Sequence, residues 1–234
     1  FPAVSSSLSS LSTRDIATRG RPLLAIPIGS CEQHGPHLPL DTDTRIAMAL
    51  CERLAMANNN TLIAPPIAIA ASGEHDGFAG TLSIGASALT TVIVELVRSA
   101  SWATGVVLVN SHGGNVSALR AAISLLQMEH HQVTAWWPQL GVDTYDAHAG
   151  HTETSLLLAI APEVVRMELA EVGDGRPLIT IIDELQSHGV GAVSPNGVLG
   201  DPRTASAAHG RELLLLLATQ LTAHVKRETA TWVS

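Results

Sequence analysis

Residues 23–57 read LLAIPIGSCEQHGPHLPLDTDTRIAMALCERLAMA. They open with the apolar run Leu23–Ile28, which ends at Gly29 and is typical of a buried parallel strand. After a polar loop, residues Thr44–Ala57 repeat apolar side chains at helical spacing, and three asparagines at 58–60 end the pattern. The stretch therefore predicts a strand, a polar loop and a helix, which form the first half of a βαβ unit.

The same alternation continues along the chain. An extended segment broken by two prolines is predicted over Thr61–Ile69, and continuous apolar runs predict strands at Val106–Val109 and Val133–Trp137. Helices are predicted over Ala86–Thr104, Val116–His130, Thr152–Ala161 and Thr204–Lys226. Strands and helices that alternate at this spacing indicate an α/β fold with a largely parallel sheet.

No linker divides the chain. The Ser-rich residues 1–12 show no periodicity and are predicted to be a flexible N-terminal arm, and residues 13–234 are predicted to form one domain. With 46% hydrophobic and 15% charged residues, the sequence is typical of a well-buried globular protein.

The charge and the cysteine content limit the classes of partner and of fold that the sequence allows. The net charge of −8, without a Lys/Arg run, argues against nucleic acid or an anionic membrane as a partner and favours a small or neutral substrate. Two cysteines, Cys31 and Cys51, are too few for a disulfide framework. Because the sequence shows neither a long apolar span nor a secretion signal, we expect a cytoplasmic protein.

Three short segments hold most side chains of the metal-ligand type: residues 32–43, 111–115 and 146–153. Each follows a predicted strand or precedes a predicted helix, where open α/β sheets place their functional groups. Glu32 and His34 are two residues apart, so in an extended loop both side chains point the same way. This arrangement predicts a hydrolytic metal site.

Further candidate ligands lie at the end of the first segment and in the other two segments. Asp43 lies at the start of a predicted helix, and His112 follows a predicted strand. His148 and Glu153 stand on either side of Gly150. Two histidines and three carboxylates, one of which can bridge, suit a pair of Zn²⁺, Mn²⁺ or Fe²⁺ ions.

Each of these residues has a simpler interpretation when it is taken alone. Asp43 could be a helix N-cap, His151 a surface residue, and Asp41 an Asx-turn residue or the rival carboxylate for the same metal. Ser111 lacks the G-x-S-x-G context of a serine hydrolase, and Cys31 lacks the context of a nucleophile. The metal interpretation depends on three clusters that recur at the loop positions where ligands are expected.

Residues 29–43, GSCEQHGPHLPLDTD, resemble the signature of the creatininase-like amidohydrolases. Later segments resemble further blocks of that family in the same order: GEH at 73–75 with GT at 80–81, NSHGGN at 110–115 and HAGHTETS at 148–155. The match covers most of residues 23–217. The resemblance implies a three-layer α/β/α fold, a binuclear metal site and hydrolysis of C–N amide bonds.

The resemblance also implies roles for individual residues. It assigns Glu32 and His112 to one ion, His34 and Glu153 to the other, Asp43 to the bridge between them, and proton transfer to His148. The residues expected to bind substrate or to orient the ligands are Glu74, His75, Gly113, Gly114 and Asn115, the last of which is also expected to cap the following helix.

Two departures from the family pattern concern the substrate. Creatininases carry a glutamate where this chain has Gly114 and a tryptophan where it has Thr144, so creatinine is a poor candidate and the cavity is expected to be wider and less polar there. Residues 145–155 and 192–202 most resemble the branch found with mycofactocin biosynthesis, which removes a C-terminal Val-Tyr dipeptide from a modified precursor peptide.

Two other functions remain open. One is a deformylase- or creatininase-type amidohydrolase that acts on a small cyclic or formyl amide, and the other is a metal-binding scaffold without catalysis. Family resemblance also implies a homo-oligomer, with Gly189–Leu199 as the candidate interface.

Overall fold

A computed structural model describes residues 6–138 and 145–232. In it, four parallel strands form one sheet in the order β2-β1-β3-β4. The strands are β1 Leu23–Ile28, β2 Thr61–Ile63, β3 Gly105–Asn110 and β4 Val133–Trp136. The predicted parallel sheet is confirmed.

Eight α-helices connect and cover the strands within the described residues. They are α1 Thr13–Ala17, α2 Thr42–Ala57, α3 Gly85–Ser99, α4 Val116–Met128, α5 His151–Ile160, α6 Leu178–His188, α7 Val190–Val193 and α8 Ala207–Thr229. Short 3-10 helices occupy Leu8–Ser10, Gly73–His75, Gly113–Asn115, Pro162–Val164, Met167–Leu169 and Pro202–Thr204.

Alternate side chains of the sheet face opposite layers of helices, as the period of a strand requires. Leu23 and Ala25 join the apolar core beneath α2, α5 and α8, whereas Leu24 and Ile26 join the core beneath α3 and α4. Both faces of the sheet are therefore covered, which explains why its strands are continuously apolar. The predicted three-layer α/β/α fold is confirmed.

Several predicted boundaries differ from the structure for local reasons. Within the extended segment predicted over Thr61–Ile69, the strand ends at Ile63, because two prolines follow closely and proline has no N–H to donate to a ladder. The helix predicted to reach Thr104 ends at Ser99. The closing helix begins at Ala207, where the side chain of Ser206 accepts the N–H of His209, and not at Thr204.

Helices α6 and α7 were not predicted from the sequence. They enclose a small apolar cluster in which Ile181 and Val193 pack with Leu199. This cluster places residues 194–200 beside the loop that precedes α5, where Leu199 pairs with His148.

The described part of the N-terminal arm contacts the sheet. Ser7 pairs with Ile63 at the edge of β2, and Leu8 and Leu11 pack against the core beneath α3 and α4. The predicted flexibility of residues 1–5 lies outside the described residues. None of the helices in the described ranges combines the length and apolarity of a membrane span.

Candidate metal centre

The candidate centre lies at the carboxyl edge of the sheet. Glu32 and His34 follow β1, His112 follows β3, and Asp43 lies in the first turn of α2. The turn into α5 adds two more residues, and the six that are brought together are Glu32, His34, Asp43, His112, His148 and Glu153. They form three overlapping groups in which the ligand atoms lie within 4.8 Å of one another.

Asp43 is shared by two of these groups. On one side, His112 Nδ1 lies 3.3 Å from Asp43 Oδ2 and 3.1 Å from Glu32 Oε1. On the other side, His34 Nε2 lies 3.6 Å from Asp43 Oδ1 and 3.9 Å from Glu153 Oε2. Ligands of a tetrahedral ion with bonds of about 2.0–2.1 Å are separated by roughly 3.3 Å, a spacing that the first group matches and the second group exceeds by a few tenths of an ångström.

Hydrogen bonds fix the orientation of the ligands. His34 Nδ1 lies 3.1 Å from the carbonyl of Glu32, and His112 Nε2 lies 2.9 Å from the carbonyl of Ala71. Each imidazole can donate to that carbonyl and keep its other nitrogen directed at the carboxylates, which is the usual arrangement of metal-binding histidines. Ser30 donates to Asp43 Oδ2 at 2.7 Å.

Several atoms that face the centre make no hydrogen bond to the described residues. They are both carboxylate oxygens of Glu32, Oδ1 of Asp43 and Nε2 of His34, and all of them are buried. A buried polar atom without a partner costs about 1–3 kcal/mol, and more when it is charged. Carboxylate and imidazole groups that converge in this way fit a pair of divalent cations.

The pKa values of the buried side chains reflect the cluster of carboxylates in the centre. Burial lowers the pKa of His34, but Asp43, Glu153 and Glu32 outweigh that effect and raise the pKa to about 9. Burial raises the pKa of Asp43, yet His34 and His112 hold it well below its usual range. The carboxylates therefore attract positive charge at the histidine nitrogens.

His148 lies at the edge of the centre. Its Nδ1 is 3.8 Å from Glu32 Oε1, and its ring centroid is 4.3 Å from that of His34 and 4.5 Å from that of His75. Burial, reinforced by His34 and His75, lowers the pKa of His148 well below its usual value. The imidazole is therefore neutral near pH 7 and is a weaker base than a solvent-exposed histidine. Since His148 also forms a possible ligand group with Glu32 and His34, its predicted role stays a prediction.

Two other predicted residues contact the ligands. Glu74 Oε1 lies 3.2 Å from His112 Nε2, and His75 Nε2 lies 3.3 Å from Glu32 Oε1. Asp41, the rival carboxylate, instead lies near the surface and pairs with Arg45 at 2.8 Å. His151 also lies outside the centre.

Asn115 differs from its prediction. It stands at the N-cap position of α4, but its side chain makes no cap hydrogen bond. Its oxygen accepts the N–H of Ala71 at 3.0 Å, and its amide nitrogen donates to the carbonyl of Gly29 and to Asn110 Oδ1, both at 2.9 Å. Asn115 therefore joins the ends of β1 and β3.

Gly114 lies close to polar atoms of the candidate centre. A Cβ there would lie 2.2 Å from Glu74 Oε1, 2.5 Å from His112 Nε2 and 2.5 Å from the carbonyl of Ala71. The prediction of a less polar cavity is therefore wrong at this point, because the Glu74 carboxylate fills the space beside Gly114. Thr144, the second departure, lies outside the described residues.

One buried contact was not predicted from the sequence. Gln33, between Glu32 and His34, contacts both His75 and His148 through its side chain. Its partners lie 42 and 115 residues away, so no local pattern could have identified them.

Comparison with known proteins places this centre in a family. The family model described as "Creatinine amidohydrolase" matches residues 9–225. The chain belongs to the creatininase family. Within it, the chain is 50% identical over 217 residues to a "Mycofactocin precursor peptide peptidase" from Mycobacterium ulcerans (strain Agy99), a match that spans 89% of this chain and 86% of the relative.

More distant members share the fold. A "Creatinine amidohydrolase" from Pseudomonas putida is 27% identical over 235 residues, which span 88% of this chain and 89% of the relative. The solved structure described as "Creatininase Mn" superposes with a TM-score of 0.80 at 22% identity, and the match covers 96% of this chain and 98% of that one. This chain is thus a creatininase-family hydrolase, and its polar centre lies at the carboxyl edge of the sheet.

Proposed function

We propose that this creatininase-family protein is a binuclear metal-dependent peptidase that removes the C-terminal Val-Tyr dipeptide from the modified mycofactocin precursor peptide. One observation carries the choice of substrate: identity is 50% to a mycofactocin precursor peptide peptidase but 27% to a creatinine amidohydrolase, over similar shares of the chain. The carboxylate and histidine centre supports the choice of chemistry.

The proposal names the residues that would hold the ions. Glu32 and His112 would hold one, His34 and Glu153 the other, and Asp43, whose oxygens face different histidines, would contact both. Zn²⁺, Mn²⁺ or Fe²⁺ all suit such a donor set, and a relative in fold is described with Mn. Two bound ions would supply Lewis-acid polarisation of the amide carbonyl and a water of lowered pKa.

His148 would transfer the proton. A neutral imidazole whose Nδ1 faces the centre can accept a proton there and return it to the amine of the departing dipeptide. General acid–base catalysis of this kind contributes about 10²–10⁴ to the rate. A cytoplasmic location, consistent with the unpaired Cys31 and Cys51, and homo-oligomerisation through Gly189–Leu199 are part of the proposal.

The test uses a peptide that ends in Val-Tyr, with and without the precursor's modification, and mass spectrometry of the products. We expect release of the dipeptide, loss of activity with a chelator and recovery with Zn²⁺ or Mn²⁺. Creatinine and a formyl amide serve as comparison substrates, with turnover at least about a hundredfold slower, because a small ring is poorly positioned in a peptide site.

Two outcomes would contradict the proposal. Faster hydrolysis of creatinine or of the formyl amide by the metal-loaded protein would favour a small-amide hydrolase. Stoichiometric metal without turnover of any substrate would favour a metal-binding scaffold.

A further inference from the structure

We propose that Gln33 is a positioning residue that fixes which ring nitrogen of His148 and of His75 carries the proton, and so directs a lone pair of His148 at the centre. The inference rests on the proposed function for its catalytic consequence. The hydrogen-bond argument itself depends only on the buried contacts of the Gln33 side chain and backbone carbonyl.

Two backbone groups determine the orientation of the Gln33 amide. The N–H of Gly35 lies 2.8 Å from Oε1, and because a backbone N–H can only donate, that atom is the amide oxygen. The carbonyl of Gly197 lies 3.0 Å from Nε2, and because a carbonyl can only accept, that atom is the amide nitrogen. In the reversed orientation, the amide nitrogen would face the N–H of Gly35 and the amide oxygen would face the carbonyl of Gly197. Neither contact could then be a hydrogen bond.

The surrounding backbone is shaped to this amide. Gly197 has a φ of +79°, and a Cβ there would lie 1.9 Å from Gln33 Oε1. Glycine at 197 therefore permits both the backbone conformation and the close approach of the side chain. Residues 194–197, which lie beyond α7, are thus joined to the loop that carries Glu32 and His34.

The amide nitrogen has only two hydrogens for three neighbours. One hydrogen goes to Gly197, and the remaining two neighbours are His75 Nδ1 at 2.9 Å and His148 Nε2 at 3.1 Å. His148 Nε2 also lies 2.8 Å from the backbone carbonyl of Gln33, and because a carbonyl can only accept, this contact is a hydrogen bond only if Nε2 carries the hydrogen. His148 therefore carries its proton on Nε2, and the second amide hydrogen goes to His75 Nδ1.

This assignment also determines whether the second nitrogen of each ring carries a hydrogen. His148 Nδ1, 3.8 Å from Glu32 Oε1, is left with a lone pair that can accept a proton at the centre. His75 carries its proton on Nε2, 3.3 Å from Glu32 Oε1, and can donate toward that carboxylate. Gln33 thus makes His148 an acceptor through its backbone carbonyl and His75 a donor through its side-chain amide, on the side that faces the candidate metal ligands.

The experiment combines ¹⁵N NMR with kinetics on the full chain loaded with Zn²⁺. Long-range ¹H–¹⁵N correlations of ¹⁵N-histidine protein report which ring nitrogen is protonated, and His75→Asn and His148→Asn assign the signals. In the wild type, we expect protons on Nε2 of both rings. In Gln33→Glu, which lacks amide hydrogens, we expect His75 to become protonated on Nδ1.

The kinetic arm uses Gln33→Glu and Gln33→Met. Both variants remove the amide that orients His75 and contacts His148. Both should lower kcat roughly 10²-fold, within the range of acid–base catalysis, while metal content is kept and KM changes by less than about threefold. Gln127→Glu adds the same charge at an exposed position of α4 and should match the wild type.

A wild-type spectrum with the His148 proton on Nδ1 would overturn the inference even if no variant folds. An unchanged His75 signal in Gln33→Glu, or wild-type kcat in Gln33→Met, would also overturn it. If the spectra are as expected but no Val-Tyr peptide is cleaved, the substrate assignment is wrong and the role of Gln33 stands.

Discussion

The carboxylate of Asp43 has oxygens that face different histidines, whereas the carboxylate of Asp41, two residues earlier, faces Arg45 near the surface. The distinction follows from α2, which begins at Thr42 and directs the second residue of its first turn toward the sheet edge. At the scale of single residues, position and not residue type separates a candidate bridge from a surface ion pair.

Asp43→Asn should therefore lose at least one equivalent of bound metal, because an amide oxygen is neutral and the amide has only one such oxygen. Asp41→Asn is the matched control and should keep the metal, since an exposed ion pair contributes only about 0–1 kcal/mol. Metal analysis of both purified variants measures the effect. Equal metal contents would disprove the assignment of Asp43 as the bridge.

Substitution of Gly114 tests the candidate site a second time, and the neighbouring Gly113 provides the control. Gly114→Ala places a methyl group 2.5 Å from His112 Nε2 and from the Ala71 carbonyl, so His112 must move and metal affinity should fall by at least about tenfold. Gly113→Ala meets no described atom within 4 Å and should bind metal normally. Calorimetric titration with Zn²⁺ compares the two, and equal affinities would show that His112 tolerates displacement.

At the scale of secondary-structure elements, Asn115 joins the ends of β1 and β3 to the segment at Ala71. Asn115→Leu should lower the free energy of unfolding by about 3 kcal/mol or more, because three buried partners lose their hydrogen bonds. Urea denaturation measures the change. Asn59→Ala, at an exposed position, is the control, and its free energy of unfolding should stay within about 0.5 kcal/mol of the wild type. A similarly small change in Asn115→Leu would show that Asn115 does not stabilise the joined strand ends.

How much the sequence could predict depends on the range of the interactions involved. The bounds of β1 were predicted correctly, because a continuous apolar run between polar segments is a local signal. Helices α6 and α7 were missed, because they are stabilised by a small cluster that includes the distant Leu199. In the centre, residues 29–43 form a compact motif that can be recognised, whereas the contact of Glu74 with Gly114 depends on the fold.

At the scale of the whole molecule, the centre couples stability to pH. The folded-state pKa of His34 is raised to about 9 from an ordinary value of 6.5, so its contribution is fully present below pH 6.5 and is lost as pH rises through 9. For the metal-free protein, this contribution amounts to something on the order of 3 kcal/mol.

Chelator-treated protein should therefore lose thermal stability between pH 6.5 and 9. Metal-loaded protein should show the opposite trend from pH 5 to 8, because ions bind deprotonated histidines and stabilise only the folded state. Thermal melting across this range, with and without chelator, measures both curves. Parallel curves would contradict a metal site that includes His34.

The order of the ligands along the chain has a consequence for biosynthesis. Glu32, His34 and Asp43 leave the ribosome early, but His112 and Glu153 follow only after a further 69 and 110 residues have been added. Leu199, which pairs with His148, emerges later still, and so does α8, which packs on α5. A nascent chain can offer only a partial set of these candidate ligands, so any complete metal loading under the proposed assignment would follow translation of most of the domain.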